Sequence, residues 1–172
     1  TNHLGRETWE LEADDVIALR RKLSEQGNLL RTLAPKMYNG IKTGLDEAFV
    51  ISKHKAEELI SANKKNADIL KPVVQGSSIR AWYIEDFQDY LLALKSSGDY
   101  SWPWSGLANA EEIFAETYPA IYAHMCVYKT EASKRSDQGV YWWELRSCAF
   151  WEAFNNPMLV WPDITNYPRF SI

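Results

Sequence analysis

The sequence predicts an α+β domain. Three observations carry that expectation. Of the 172 residues, 46% are apolar and 24% are charged, ordinary globular usage that excludes disordered and collagen-like chains and suits one domain with a short appendage. Short β-rich runs are interspersed with segments of helical period but show no regular strand–helix–strand alternation, which argues against a doubly wound parallel sheet. No apolar run approaches the roughly 18 residues of a membrane helix, and the segment from Thr1 does not read as a secretory apolar region.

The elements are taken in chain order. Residues 13–26 read as a helix. Val16, Leu19 and Leu23 recur at helical spacing, Asp14 or Asp15 caps the start, and Gly27 supplies a left-handed residue after the end. Residues 29–33 read as a strand, and Pro35 makes the residues after it an edge or loop. In 38–44, Asn39-Gly40 is a turn signal. Residues 48–51 read as a short buried strand. Ser52 caps a helix running to about Ala62, and Asn66 caps a second, shorter one that Pro72 stops. Residues 80–84 and 90–94 read as a hairpin, and 96–106 as a loop containing Trp102-Pro103-Trp104. A helix runs from Asn109 or Ala110 to Thr117, and another, opened by Pro119, from Ala120 to about Lys134. Residues 141–145 and 158–161 read as strands, the latter closed by Pro162-Asp163. The chain begins at Thr1 and ends at Ser171-Ile172 inside a strand-like run, so it reads as a piece of a longer polypeptide.

Eight Trp, nine Tyr and six Phe make the chain aromatic-rich. Such a surplus forms either a heavily aromatic core or a surface that stacks on bases or sugars. The net charge of −4 argues against a protein that coats polyanions without selectivity. Its distribution is uneven: −1 over 1–31, +3 over 36–80, −6 over 81–121 and 0 over 122–172. Cys126 and Cys148 fit neither a zinc motif nor a disulfide framework, so a reduced, cytoplasmic protein is expected. His3, His54 and His124 are scattered, and no metal site is expected.

No nucleotide-binding, hydrolase or metalloprotease motif occurs. Asn156-Pro157-Met158-Leu159 lacks the second proline and the aromatic residue with which a base-methylating loop holds an extruded base. Pro162-Asp163 has no Glu-x-Lys partner at nuclease spacing. The pairs Asp14-Asp15, Glu57-Glu58 and Glu111-Glu112 read as caps and solvated helix faces. No catalytic centre is therefore expected. Binding chemistry is better represented. Between Gly40 and Gly44, Lys42 supplies a cation and Thr43 a hydroxyl on a loop able to approach phosphate closely, although a plain structural turn reads equally well. Lys71 and Arg80 flank a second loop, Gly76-Ser77-Ser78. Lys129, Lys134 and Arg135 lead through Ser136-Asp137-Gln138-Gly139 into Tyr141-Trp142-Trp143. Cations beside a glycine-containing loop and an aromatic run suit phosphate neutralisation and base-edge reading; a solvated helix end is the alternative.

These segments resemble a known family in order. Tyr38-x-Gly40-Ile41-x-Thr43-Gly44 followed by Ala48-Phe49-Val50-Ile51 is similar to the opening of the TaqI-like specificity domain, the target-recognition domain of type II restriction-modification methyltransferases and fused endonuclease–methyltransferases. The run from Ile69-Leu70-Lys71-Pro72 through Gly76 to Ile79-Arg80-Ala81-Trp82 resembles its second block, and Tyr118-Pro119-Ala120-Ile121-Tyr122-x-His124 its helix start. Arg135-Ser136-Asp137-x-Gly139 with Trp142-Trp143-Glu144-Leu145-Arg146 resembles its fourth block. Phe154-x-x-Pro157-Met158 through Ile164, with Pro168-Arg169-Phe170, resembles its closing block. The chain departs from the family at Ser78, where Asp is frequent, and at Met158, where Lys is common.

The resemblance implies a connector segment with a helix over 1–28 and a DNA target-recognition domain over 29–172, truncated at its C-terminal end. It implies an α+β fold with a twisted, mostly antiparallel, β-helix-like sheet core and peripheral helices. The domain would recognise double-stranded DNA in sequence and catalyse nothing itself. A methyltransferase domain of the same polypeptide would bind S-adenosylmethionine and methylate adenine; Mg would be needed only by a fused endonuclease. Candidate DNA contacts are Lys42 and Thr43 on the first loop, Lys71 and Arg80 on the second, and Lys134, Arg135 and Arg146 on the third, with Tyr141 and Trp142 for the groove. Ile41, Phe49, Leu145 and Trp161 are assigned to the core. Two alternatives remain: a carbohydrate or small-ligand domain built on exposed Trp102 and Trp104, and a protein-interaction module docking through the acidic block at 81–121.

Overall fold

The computed structural model describes residues 12–34, 36–85, 88–163, 165 and 169–171. The chain divides into two compact units, Thr1–Asn39 and Gly40–Ile172.

In the first unit, helix α1 spans Asp14–Gln26, as its periodicity predicts. The apolar stripe faces solvent, with Val16, Leu19 and Leu23 all exposed. Ala13 stands at the N-cap with no side-chain cap, while the Asp15 carboxylate accepts from the Val16 N–H at 2.9 Å. Gly27 is not left-handed: its φ is −90°. A glycine fits there because a Cβ would lie 2.6 Å from the Leu23 carbonyl oxygen. The strand expected over 29–33 is instead one helical turn, α2 (Leu30–Leu33). Its leucines are exposed, and a short apolar run lacks the periodicity that separates strand from helix.

The second unit is built on a three-stranded antiparallel sheet in the order β1-β3-β2, with β1 Val50–Ser52, β2 Leu70–Val73 and β3 Asp89–Leu92. Val50 pairs with Leu91, and Leu70 with Leu92. The α+β class is borne out at this level. The expected hairpin is corrected: β3 pairs with β1 and β2, and 80–84 is a turn joined by one bridge, Ile79 to Ile84. Residues 48–51 are split, since Ala48 and Phe49 close helix α3 (Asp46–Phe49) before β1 begins. Ser52 caps α4 (Lys53–Ala62) as expected, its hydroxyl accepting from the Lys55 N–H at 3.3 Å. The next turn, the 3-10 helix Lys64–Asp68, is capped by Asn63 and not by Asn66. Asn66 is buried and donates to the Leu59 carbonyl at 2.8 Å. Pro72 stops no helix; it lies in β2, an edge strand, where a missing N–H is tolerated.

Helix α5 (Ala110–Thr117) and helix α6 (Pro119–Cys126), with Pro119 in its first turn, match the sequence reading. The longer helix expected to Lys134 breaks at Val127-Tyr128 and resumes as α7 (Lys129–Ala132). Neither 141–145 nor 158–161 is a strand; only the bridges Gln138–Leu145 and Val160–Ser171 form there. In the first of these segments a side chain takes backbone groups that a ladder would otherwise use, since the Glu144 carboxylate accepts from the Val140 and Tyr141 N–H groups.

The core lies between the sheet and helices α4 to α6. Phe49, Leu92, Leu94, Trp104, Phe114, Ile121, Met125 and Leu145 are fully buried, and a buried Leu, Ile, Phe or Met contributes about 1.5–3 kcal/mol relative to exposure. The aromatic surplus is mostly spent here. Tyr141 stacks on Trp143 at 4.8 Å, Phe114 stacks on the same Trp143 at 5.1 Å, and Trp104 meets both Phe114 and Trp143 edge-on. Phe49 and Leu145 are core as expected, and Ile41 packs half-buried against it. Trp161 is corrected: it is 40% exposed.

Candidate nucleic-acid interface

The third candidate loop is organised by two buried charged side chains. Arg135 comes after α7, and its guanidinium lies 4.3 Å from the centre of the Phe49 ring. Its five N–H bonds all meet carbonyl oxygens: Nε donates to Ala132, Nη1 to Thr43 and Asp137, and Nη2 to Trp142 and Glu144. A guanidinium has five donors, so none remains for a phosphate. Burial lowers its pKa to about 10, opposed by the neighbouring Asp137 carboxylate, and it stays protonated at neutral pH.

Glu144, fully buried, is the second. Its carboxylate accepts from the Ser97 N–H at 2.9 Å and the Ser97 hydroxyl, from the Trp104 indole at 3.0 Å, and from the N–H groups of Val140 and Tyr141 at 3.0 and 3.3 Å. One carboxylate thus ties the 96–106 loop to the 138–145 turn. Gly139 is required for close approach, since a Cβ would lie 2.6 Å from the Leu145 carbonyl oxygen and 2.8 Å from the Glu144 Cβ.

The first loop is held against this framework. The Thr43 hydroxyl donates to the Asp46 carboxylate and accepts from the Leu45 N–H at 3.2 Å, fastening the start of α3. Gly44 is left-handed, with φ +67°, and a Cβ there would lie 3.1 Å from Asp137 Cβ. Arg146 is exposed and pairs with Asp137 at 3.0 Å. The structure therefore brings together the first and third loops. Lys42 and Lys134 are exposed on them, and neither forms an ion pair among the described residues.

The second loop lies elsewhere. The sheet register puts Val73 opposite Asp89, so 74–85 emerges beyond the N-terminal end of β3. The 138–145 turn meets the other end, where the Leu145 N–H donates to the Leu94 carbonyl at 2.7 Å. The length of β3, roughly 10 Å at about 3.4 Å per residue, separates the two ends. Arg80 supports its own loop, donating to the Ser77 carbonyl at 2.5 Å and pairing with Glu85 at 2.9 Å. Lys71 is exposed on the edge strand β2.

Several sequence assignments change in consequence. Arg135 is a structural clamp, because its donors are saturated. Thr43 is buried, and its hydroxyl is committed to Asp46 and Leu45. Tyr141 belongs to the aromatic stack, with its hydroxyl donating to the Trp104 carbonyl at 3.3 Å. Trp142 packs edge-on against Trp143 with the Lys129 ammonium 5.3 Å from its ring centre. Lys129 in turn pairs with Glu111 at 2.5 Å. Burial raises the Glu111 carboxyl, but Lys129 and the Tyr122 hydroxyl outweigh it and hold the group below its usual value. Trp102 and Trp104 are parallel at 4.8 Å, yet Trp104 is fully buried, so they offer no paired sugar platform. Lys42, Lys71, Lys134 and Arg146 remain outward-facing.

Three framework residues were quoted in the sequence only as parts of motifs: Asp137, Gly139 and Glu144. The signal available was their spacing around Arg135 and the aromatic run, but their partners lie far along the chain. Cys126 and Cys148 are free thiols. Among the described residues, no group of three or more His, Cys, Asp or Glu could hold a metal, and no helix is long and apolar enough to cross a membrane. No family model matches the chain, and no curated protein is significantly similar to it.

Proposed function

We propose that the chain is a sequence-specific double-stranded DNA recognition module of a restriction-modification adenine methyltransferase, noncatalytic in itself. In this reading a methyltransferase domain of the same polypeptide supplies S-adenosylmethionine chemistry in the cytoplasm, and Mg enters only if an endonuclease is fused. The β-helix-like core belongs to the same proposal; the bridges Ile79–Ile84, Gln138–Leu145 and Val160–Ser171 are where its additional pairing would lie.

The observation that carries the reading is the position of Lys42 and Lys134. They are exposed, lack ion pairs among the described residues, and stand on two loops that Arg135 fastens together through the Thr43, Asp137 and Trp142 carbonyls. Motif residues build the platform, and cations free to meet phosphates stand on it. Phosphate contacts set register without reading sequence, so they belong on a rigid frame.

Lys42→Ala combined with Lys134→Ala is expected to weaken duplex binding across all sequences. The slope of log affinity against log salt should fall by about 0.9 for each lost phosphate contact. The thermal midpoint should stay unchanged, since both side chains are exposed. Equal affinity and an unaltered slope in the double variant would remove these loops from the interface.

A further inference from the structure

Trp82 combines two features that a folded chain ordinarily avoids. It is 85% exposed, and its φ is +76°, the one positive value at a non-glycine residue among those described. The left-handed region suits glycine or asparagine; a bulky aromatic side chain is strained there and persists only where the surroundings enforce it. The indole offsets little of that strain through packing. The backbone around it enforces the turn instead. The Trp82 N–H donates to the Phe170 carbonyl at 2.8 Å and the Arg80 N–H to the Tyr83 carbonyl at 2.9 Å, while the Ile79–Ile84 bridge and the Arg80–Glu85 pair close its base. Tyr83, beside it, is 58% exposed. A strained turn braced from several sides, holding a flat apolar ring in solvent, points to a ligand with a flat face.

One cation at this end of the sheet is free to meet a phosphate. Lys53, which follows Ser52 opposite Asp89, is exposed at this end of the sheet and forms no ion pair among the described residues, whereas Lys71 pairs opposite Leu91, toward the other end. Arg80 pairs with Glu85, and the neutral Gln75 amide donates to the Asp89 carboxylate at 2.9 Å. We infer that Trp82 inserts into the base stack of bound duplex DNA, stacking on a base at a disrupted step, with Lys53 meeting an adjoining phosphate. Aromatic rings stack on any base, and apolar wedges open base steps in bent or unpaired duplexes. This rests on the DNA-recognition reading and adds a second contact, at the end of β3 remote from Lys42 and Lys134.

The test uses the intact protein and a duplex enriched by it from a random-sequence pool, with 2-aminopurine placed in turn at each position. Wild-type protein should change the 2-aminopurine emission at one step. Trp82→Ala should abolish that change and weaken binding roughly tenfold to a hundredfold, whereas Trp82→Phe should keep most of both. Trp82→Ala should leave the thermal midpoint within about 3 °C, because so little of the indole is buried. Undiminished affinity in Trp82→Ala, alongside a weakened Lys42→Ala/Lys134→Ala double variant, overturns the insertion and leaves the recognition reading standing. A fall in midpoint of about 10 °C or more would assign Trp82 a packing role and overturn the insertion too. Failure of the wild-type protein to retain any duplex overturns both.

Discussion

Glu144→Leu is expected to destabilise the protein by about 3–5 kcal/mol, a large share of the roughly 5–15 kcal/mol that holds a domain folded. Leucine fills a similar volume and accepts nothing. Five donors converge on the carboxylate: the Ser97 N–H and hydroxyl, the Trp104 indole, and the Val140 and Tyr141 N–H groups. Each buried donor left unpaired costs about 1–3 kcal/mol, partly relieved where water can enter. Glu144→Gln should fall between, since its amide turns two hydrogens toward the same donors. Urea unfolding monitored by tryptophan fluorescence measures this, with the midpoint falling at constant slope. A loss below about 1 kcal/mol for the leucine variant would mean that Glu144 does not join the 96–106 loop to the 138–145 turn.

Arg135→Lys is expected to destabilise by about 2–5 kcal/mol even though the charge is kept. The five carbonyls lie around a planar fork, and a single ammonium with three donors cannot reach them all. The ring contact with Phe49 is weakened as well. Because no guanidinium donor is left for DNA, the salt dependence of duplex binding by the folded fraction should match wild type. That separates Arg135 from Lys42 and Lys134, whose removal should alter the salt slope and not the stability. A variant that kept its stability while losing a phosphate-sized part of the slope would place Arg135 in contact with DNA after all.

What was legible in the sequence was local. The period of Val16, Leu19 and Leu23, the Ser52 cap and Pro119 in the first turn each act within a few residues, and each placed the start of its helix, though the helix opened by Pro119 ends at Cys126 and not near Lys134. Where the answer depends on distant partners, the reading failed. Residues 141–145 carry strand-forming side chains, yet Glu144 reaches Ser97, 47 positions away, and Arg135 reaches Thr43, 92 positions away. Those bonds satisfy backbone groups that a ladder would have used. Arg135 looked like a surface cation because carbonyl acceptors leave no mark in a sequence. Tyr141 and Trp142 looked like groove contacts because aromatic residues serve a core and a stacking surface equally well. Lys42, Lys71, Lys134 and Arg146, named as DNA contacts, are all exposed, as long cations with no buried partner ordinarily are. The backbone angle of Trp82 is a tertiary result, set by Phe170 from 88 positions along the chain.

Selection of a DNA sequence is the central proposal, and it rests on the motif series, the clamped loops and the outward lysines. The direct measurement is retention of duplexes from a random-sequence pool by the intact protein, with sequencing of the retained fraction. Recognition predicts enrichment of one short motif that competes at least a thousandfold better than unrelated duplex at physiological salt. A retained pool with the composition of the input, or no retention at all, would contradict it.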